Sequence, residues 1–258
     1  MPVRVAISLI ALSLLSVSGC ASLPTVPAAA RNEHVVLLHG IWRTSKSMNK
    51  LEAYLSSQGF DVININYPSR RYPIEALTRQ VGDQIDRYRE RVNGKVHFVT
   101  HSMGGVILRA YLKDNDIPDL GRVVMLAPPN QGCELVDQMG GTFHYRVIFG
   151  PAGQQLGTEP DSVPNALGPV DFELGVIAGN KTVNPILSSW LPGADDGRVT
   201  VERTKVEGMD DFLVVPRSHV FIMKGREVME QVIHFLDHGR FDRSDTEGTL
   251  AGAPGAGS

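Results

Sequence analysis

One serine in a crowded short segment is the first feature of the sequence that points to chemistry. Residues 100–105 read Thr-His-Ser-Met-Gly-Gly; they follow an apolar run typical of a buried strand and precede a helical pattern. A nucleophile on such a tight strand-to-helix turn has an exposed hydroxyl and a strained backbone. Its neighbours must then be small, which accounts for Gly104 and Gly105. The segment predicts Ser102 as a nucleophile.

The elements that must position this serine alternate between strand and helix patterns. Helical periodicity fills the intervals between short apolar runs. The predicted strands are 34–38, 62–65, 96–100, 123–126, 174–178 and 212–215. Such repetition favours right-handed crossovers and a parallel sheet covered on both faces. Because reactive side chains gather at the carboxyl ends of parallel strands, the position of Ser102 after a strand suits catalysis.

A second motif, Val-Val-Leu-Leu-His-Gly-Ile-Trp at residues 35–42, ends the first predicted strand. Together with residues 100–105 it resembles the α/β-hydrolase family, and in particular its lipases and esterases. The family elbow reads G-x-S-x-G, and Thr100 replaces the first glycine here. This variant looks like that of bacterial lipases and GPI-inositol deacylase relatives. The resemblance covers roughly residues 34–238 and implies the α/β-hydrolase fold and an acyl-ester or lipid substrate.

The resemblance also implies roles for individual residues. The backbone N–H groups of Ile41 and Met103 would form an oxyanion hole, as the residues after the His-Gly pair and after the nucleophile do in this family. His219 lies between the last predicted strand and the last helix, where the family places its catalytic histidine. The other seven histidines, His39 among them, suit structural positions better. The chemistry requires neither a metal nor an organic cofactor.

The acid partner of the histidine is left between two neighbouring aspartates. The family order is serine, then Asp or Glu, then histidine. The run Asp-Asp-Gly-Arg-Val at residues 195–199 resembles its acid loop. Asp196, directly before the glycine, is the first choice and Asp195 is the alternative. An Asp-Gly turn is also common in ordinary loops.

The first twenty residues form a secretory signal with one early positive charge and an apolar stretch. Their end, Val-Ser-Gly-Cys at residues 17–20, resembles the bacterial lipobox, which implies cleavage before Cys20 and its acylation. Ala21, in place of Asp, implies sorting to the outer membrane. We therefore expect a lipid-anchored envelope protein facing the periplasm. The alternative is a signal peptide that contains a cysteine by chance; Cys133 is the only other cysteine.

The pattern along the chain predicts one folded domain between two irregular ends. The predicted segments are a signal peptide at 1–19, a tether at 20–31, a hydrolase domain at 32–241 and a tail at 242–258. Within the domain, residues 128–171 are rich in Gly and Pro and show no clear period. Loops of this length are usually functional, so we expect a lid-like insertion. Its His144 stays open as a substrate contact.

Composition limits the alternatives. The chain has 258 residues, 42% of them hydrophobic, which is ordinary globular composition. A formal net charge of −3 and the absence of a basic cluster or metal-type Cys/His spacing disfavour nucleic-acid and metal binding. Two other functions remain open: an acyltransferase of the same fold, and a catalytically silent binding lipoprotein whose elbow is altered by Thr100. Nothing in the pattern indicates an oligomeric state.

Overall fold

A computed structural model describes residues 31–244, in which six parallel strands form one sheet. The strands are β1 (Glu33–Leu38), β2 (Asp61–Ile65), β3 (Lys95–His101), β4 (Leu120–Leu126), β5 (Leu174–Gly179) and β6 (Asp211–Val215). Their order across the sheet is β2-β1-β3-β4-β5-β6, and every neighbouring pair is parallel. The prediction of a mostly parallel α/β sheet is confirmed.

Eight helices accompany the sheet within the described residues. They are α1 (Asn49–Ser57), α2 (Ile74–Arg89), α3 (Met103–Asp114), α4 (Glu134–Met139), α5 (Phe143–Gln154), α6 (Val163–Ala166), α7 (Pro185–Ser188) and α8 (Arg226–His238). The apolar faces of α2 and α3 enter one core, and those of α1 and α8 enter another. Helices therefore cover both faces of the sheet, as a buried parallel sheet requires.

The residues of β1 show how the sheet separates the two cores. Val36 and Leu38 belong to the core under α2 and α3, whereas Val35 and Leu37 belong to the core under α1 and α8. Successive side chains of a strand point to opposite faces, so a continuous apolar run is what a doubly covered strand needs. This packing holds the carboxyl end of β1 beside that of β3, where Ser102 follows.

Residues 128–171, after β4, contain three short helices, α4 to α6, which sequence periodicity did not resolve. Helix α5 is broken at Gly150, whose φ is +66°. A Cβ atom there would lie 1.9 Å from the carbonyl oxygen of Arg70, so the break needs glycine. The segment packs partly on the core through Leu135 and Val136. Its role as a lid stays a prediction.

The predicted signal peptide, Cys20, most of the tether and most of the tail lie outside the described residues. Arg31, the last residue of the predicted tether, forms an ion pair with Asp237 and lies 4.3 Å from the ring centre of Phe60. At the other end, Arg243 binds Asp211 at 2.6 Å. Contacts with the domain thus extend one residue before and two residues beyond the predicted bounds. Between residues 31 and 244, no helix has the length and apolar character needed to cross a membrane.

Candidate active site

Ser102 occupies a sharp turn between β3 and α3. Its φ is +55° and its ψ is −128°, a region that residues other than glycine rarely adopt. The backbone N–H of Ser102 donates to the carbonyl of Leu126 at 2.9 Å, which ties the turn to β4. A Cβ atom at Gly104 would lie 2.7 Å from the carbonyl oxygen of Leu38. The close approach of β1 therefore explains why position 104, two residues after the serine, is a glycine. The strained backbone of Ser102 indicates a functional position.

Thr100 stands where the family elbow has glycine, and its side chain is fully buried. Its Oγ1 lies 3.2 Å from the place that a Cβ atom would take at Gly105. The glycine at position 105 thus leaves the space that the threonine fills. Among the described residues Oγ1 of Thr100 has no hydrogen-bond partner. Thr100 is therefore accommodated sterically within a turn that holds Ser102 at a positive φ.

Two hydrogen bonds connect Ser102, His219 and Asp196. Oγ of Ser102 lies 3.0 Å from Nε2 of His219, and Nδ1 of the same ring lies 2.8 Å from Oδ2 of Asp196. All three side chains are buried. Because an ionised carboxylate only accepts hydrogen bonds, Nδ1 is the donor, which leaves Nε2 as an acceptor for the serine hydroxyl. This is the tautomer that a general base needs.

The two neighbouring aspartates have different contacts. Oδ1 of Asp196 accepts from the N–H groups of Arg198 and Val199, at 3.0 and 2.9 Å, while Oδ2 faces His219. Oδ1 of Asp195 accepts from the N–H of Gly197 at 2.7 Å, and its Oδ2 accepts from the hydroxyl of Ser188 at 2.6 Å. Geometry therefore gives Asp196 the contact with the histidine, and Asp195 shapes the loop.

The backbone of His219 is also held from both sides. Its N–H donates to the carbonyl of Asp196 at 2.9 Å, and its carbonyl accepts from Nε2 of His101 at 2.9 Å. Burial and the neighbouring charge of His219 lower the pKa of His101 well below its ordinary value. His101 is therefore neutral at pH 7, with its proton on Nε2.

Ile41 and Met103, the residues expected to supply the oxyanion hole, both lie beside the serine. Met103 is the first residue of α3, so its N–H has no acceptor within the helix. The hydrogen bonds of residues 31–244 include none donated by the N–H of Ile41 or Met103. The turn that carries Ile41 packs tightly, since a Cβ atom at Gly40 would lie 2.9 Å from Cβ of Ser102. Neither N–H group therefore has an acceptor among residues 31–244, and their role as an oxyanion hole stays a prediction.

His39 closes this turn and does not contact the serine hydroxyl. Its Nδ1 donates to the carbonyl of Gly40 at 2.9 Å, and its ring stacks on that of Tyr67 at 4.1 Å. Burial lowers the pKa of His39, so the ring is neutral. These contacts agree with the structural role that the sequence predicts for His39.

A cavity of about 380 Å³ opens beside Ser102 and His219, and its walls are mostly apolar. Helices α4 and α5 and the residues near them supply Cys133, Leu135, Val136, Met139, Tyr145, Ile148, Phe149 and Leu156. His144 is exposed and is not part of this lining. A wider open groove of about 1080 Å³ lies between α2, α3 and α6 and includes none of the residues around Ser102.

Three residues of the site were not singled out from the sequence as contributors to it. The sequence indicates only a structural position for His101 and no role for Arg43 and Arg198, which also line the cavity. The positions of the arginines were a usable signal, because each lies two residues after a predicted site residue, Ile41 and Asp196. Within the described part of the chain, no group of three or more His, Cys, Asp or Glu side chains could hold a metal ion.

The fold and the elbow define the class of protein. The model of the Alpha/beta hydrolase family matches residues 35–232, so the chain belongs to the α/β hydrolase family. The predicted family and fold are confirmed, and the chain is an enzyme of this hydrolase class.

Three individual proteins that resemble this chain share at most 24% of their residues with it over the aligned regions. Mouse lysosomal thioesterase PPT2 is 24% identical over 226 residues, which cover 73% of this chain and 72% of that protein. The mature lipase BlEst2 of Bacillus licheniformis superposes with a TM-score of 0.65 at 18% identity and covers 82% of this chain and 93% of its own. Phospholipase PlaB of Legionella pneumophila, solved with thio-NAD, gives a TM-score of 0.61 at 18% identity, over 80% of this chain and 62% of its own.

Proposed function

We propose that the chain is a serine hydrolase that cleaves acyl esters. Ser102 is the nucleophile, His219 the general base, and Asp196 the group that orients the imidazole and stabilises its charged form. The N–H groups of Ile41 and Met103 hold the oxyanion. The observation that carries this proposal is the pair of hydrogen bonds, 3.0 and 2.8 Å, that links the three side chains at the wall of an apolar cavity.

In the first half of the reaction, Nε2 of His219 takes the hydroxyl proton as Oγ of Ser102 bonds to the carbonyl carbon. The carbonyl electron pair moves to the oxygen, which then faces the N–H groups of Ile41 and Met103. Each such donor typically lowers the barrier by about 3 kcal/mol. When the carbonyl re-forms, the bond to the alcohol oxygen breaks, and that oxygen takes the proton from His219.

In the second half, a water molecule replaces the alcohol. His219 removes a proton from the water as its oxygen attacks the acyl carbon, and the same two N–H groups hold the new oxyanion. Collapse breaks the bond to Oγ, which takes the proton back. The products are a carboxylic acid and the free serine. Asp196 stays ionised throughout and keeps the ring of His219 in one orientation.

A fluorophosphonate probe tests the nucleophile directly. The folded wild-type chain should be labelled once, at Ser102, and should hydrolyse p-nitrophenyl esters. Ser102→Ala should lose both properties, whereas Ser56→Ala, an exposed serine on α1, should keep them. Absence of labelling and of ester turnover in the folded wild type would contradict the proposal and favour a silent binding protein.

Thioester hydrolysis is a second candidate function, favoured by the similarity to lysosomal thioesterase PPT2. The same groups would act, with a thiol as the leaving group. The test compares kcat/KM for an oxygen ester and a thioester that share one acyl chain and closely similar leaving groups. A much higher value for the thioester would assign the chain to that activity.

Transfer to an alcohol, as in an acyltransferase, follows from the same acyl intermediate. If an acceptor alcohol intercepts the acyl group, a new ester will form at the expense of the free acid. Product analysis with and without the acceptor separates the two functions.

We also propose that the mature chain is anchored to the bacterial outer membrane, facing the periplasm, through lipid on Cys20. The support is the lipobox-like sequence alone, which lies outside residues 31–244. Several acyl chains hold a protein firmly, whereas one chain holds it only marginally. Cys20→Ser should be exported, should take up no labelled palmitate and should leave the membrane fraction. Label retained by this variant would exclude Cys20 as the acylated residue.

A further inference from the structure

Two arginines line the cavity beside Ser102, and neither has an acidic partner. Arg43 follows the turn of Ile41, and Arg198 follows Asp196; both side chains are half-buried. Among the described residues, neither guanidinium lies within 4.0 Å of a carboxylate oxygen. Seven other arginines do bind carboxylates: Arg31, Arg89, Arg122, Arg203, Arg217, Arg226 and Arg243.

The backbone of both arginines is fixed by the site. The N–H of Arg198 donates to Asp196, its carbonyl accepts from Sγ of Cys133 at 3.0 Å, and its guanidinium lies 5.5 Å from the ring centre of Phe149. The N–H of Arg43 donates to the carbonyl of Gly40 at 3.3 Å. These contacts hold the backbone of both arginines beside the cavity, although no carboxylate of the described residues pairs with either guanidinium.

A partly buried guanidinium without a counter-charge costs free energy, which an entering anion recovers. The planar fork of arginine matches the oxygens of phosphate and carboxylate groups. Most of the remaining cavity wall is apolar and suits a hydrocarbon chain. The cavity therefore offers cations for the charged group of an anionic amphiphile and an apolar wall for its hydrocarbon chain.

We propose that Arg43 and Arg198 bind an anionic group, phosphate or carboxylate, carried by the substrate near the bond that is cleaved. This inference rests on the proposed ester hydrolysis and names its substrate class: an acyl ester with a negative charge, in preference to a neutral glyceride. The charge has two sources, the leaving group or the acyl chain, and substrates matched in all other respects separate them.

The experiment uses two substrate pairs. For the leaving group, 1-decanoylglycerol 3-phosphate is compared with 1-decanoylglycerol; for the acyl side, the p-nitrophenyl monoester of adipic acid is compared with p-nitrophenyl hexanoate. We expect kcat/KM to favour the charged member of one pair by about tenfold, a charge-assisted contact of ordinary strength. The pair that shows the preference identifies the source of the charge.

Arginine variants then assign the preference to residues. Arg43→Gln and Arg198→Gln should each lower kcat/KM for the charged ester about five- to twentyfold, mainly through KM, and change the neutral ester less than twofold. Arg146→Gln, an exposed arginine of α5 that is not part of the cavity lining, is the matched control and should change neither. Raising the ionic strength should weaken the wild-type preference, which tests the same claim without a variant.

The results that overturn this inference differ from those that overturn the ester-hydrolase proposal. Active wild-type enzyme with no preference in either pair, or equal losses on charged and neutral esters in both arginine variants, would exclude the anion subsite. Absence of both turnover and fluorophosphonate labelling would contradict the hydrolase proposal itself.

His101 lies between two other parts of the site, the loop that carries His219 and the turn that carries Ile41. Its Nε2 donates to the carbonyl of His219, and the two rings are 4.9 Å apart. On its other side, a Cβ atom at Gly40 would lie 2.9 Å from Nδ1 of His101, so this ring packs against the turn of Ile41. One buried side chain thus touches the loops that carry the base and an oxyanion donor.

The geometry points to His101 as a positioning residue for His219 and for the turn of Ile41. Its ring must stay neutral, because a second positive charge would oppose the imidazolium that forms on His219 during catalysis. The low pKa of His101 meets that requirement. Since His101 touches no reacting atom, its loss should lower kcat and leave KM nearly unchanged.

The test compares two variants at this position. His101→Leu removes the donor and should lower kcat and the rate of fluorophosphonate labelling about 30- to 100-fold. His101→Gln keeps an N–H donor at a similar reach and should recover most of that loss. A folded His101→Leu enzyme with wild-type kcat, or a His101→Gln enzyme no better than the leucine variant, would exclude the positioning role.

Discussion

Two walls meet at Ser102, and they are built in different ways. The catalytic wall comprises the loops at 195–200 and 216–221, which carry Asp196 and His219. Buried hydrogen bonds to backbone groups fix both residues, including two N–H donors to one oxygen of Asp196. The insertion wall, residues 128–171, reaches the cavity through apolar side chains on short helices.

Exposure separates the two walls further. In the insertion wall, Phe143 is 75% exposed and Val147 is 62% exposed, although the neighbouring Tyr145 is buried. Asp196 is 1% exposed and His219 is 8% exposed. Hydrogen bonds hold the catalytic wall within the narrow geometric tolerance that the chemistry needs, whereas apolar packing in the insertion wall tolerates changes of shape. Substitutions in the first should act on kcat, and those in the second on chain-length preference.

The strongest test of the catalytic wall is loss of its nucleophile. Ser102→Ala should lower kcat/KM for a p-nitrophenyl ester by a factor of about 10⁴ or more, because the base then has no hydroxyl to activate. The melting temperature should remain within about 2 °C of wild type, since alanine removes one oxygen from the turn and leaves its backbone. Ester turnover by this variant at the wild-type rate would remove Ser102 from the mechanism.

The adjacent aspartates provide a matched pair within one loop. Asp196→Asn should lower kcat about 10³- to 10⁴-fold, because an amide in its place no longer fixes the tautomer of His219 or stabilises its charge. Asp195→Asn should cost less than tenfold in kcat, since within residues 31–244 its carboxylate accepts hydrogen bonds from Gly197 and Ser188 and none from His219. Steady-state kinetics on both variants decides between them, and a larger loss for Asp195→Asn would reverse the assignment.

Strand positions and the elbow were accessible from the sequence because their signals are local. A buried apolar run ending at Thr100 and a glycine pair after Ser102 specify a strand and a tight turn whatever the rest of the chain does. The choice between Asp195 and Asp196 was not local. It depends on which carboxylate reaches His219, and these residues meet only in the folded chain, where β5 and β6 lie side by side.

The helices inside the insertion and the shared cavity of the two arginines could not be predicted from the sequence for a related reason. Helices α4 to α6 have four to twelve residues, too few for a clear apolar period, and Gly150 interrupts the longest of them. Arg43 and Arg198 lie far apart in sequence, and each alone resembles an ordinary surface arginine. Only the folded chain shows that they share one cavity and that neither pairs with a carboxylate of residues 31–244.

Filling the cavity tests the insertion wall. Val136 is buried and lines the cavity, so Val136→Phe should exclude the end of a long acyl chain. Each buried methylene contributes about 0.8 kcal/mol, or roughly fourfold in kcat/KM. In a p-nitrophenyl ester series, the wild type should rise from acetate toward medium chains, and the variant should reach its maximum at a shorter chain.

Two controls test whether a changed chain-length preference comes from the filled cavity. Phe143→Ser, at an exposed position of the same wall, should leave the series nearly unchanged. Turnover of the acetate ester within about threefold of wild type shows that Val136→Phe still folds and reacts. A wild-type series that falls steadily from acetate onward would instead exclude the insertion as an acyl site.

The smallest expected effect is a pH dependence of stability that arises from buried histidines in β3 and directly after β1. Burial lowers the pKa of His39, His97 and His101 in the folded chain, whereas in the unfolded chain all three titrate near the ordinary value of about 6.5. The unfolded state therefore binds more protons below that pH, so this contribution to stability is complete above about pH 6.5 and decreases as the pH falls.

Urea unfolding at pH 7.5 and 5.5 should show a lower free energy of unfolding at pH 5.5. His101→Gln removes one of these three histidines and should reduce the difference in unfolding free energy between the two pH values. An equal or larger difference in that variant would mean that other groups, and not this histidine, set the acid sensitivity.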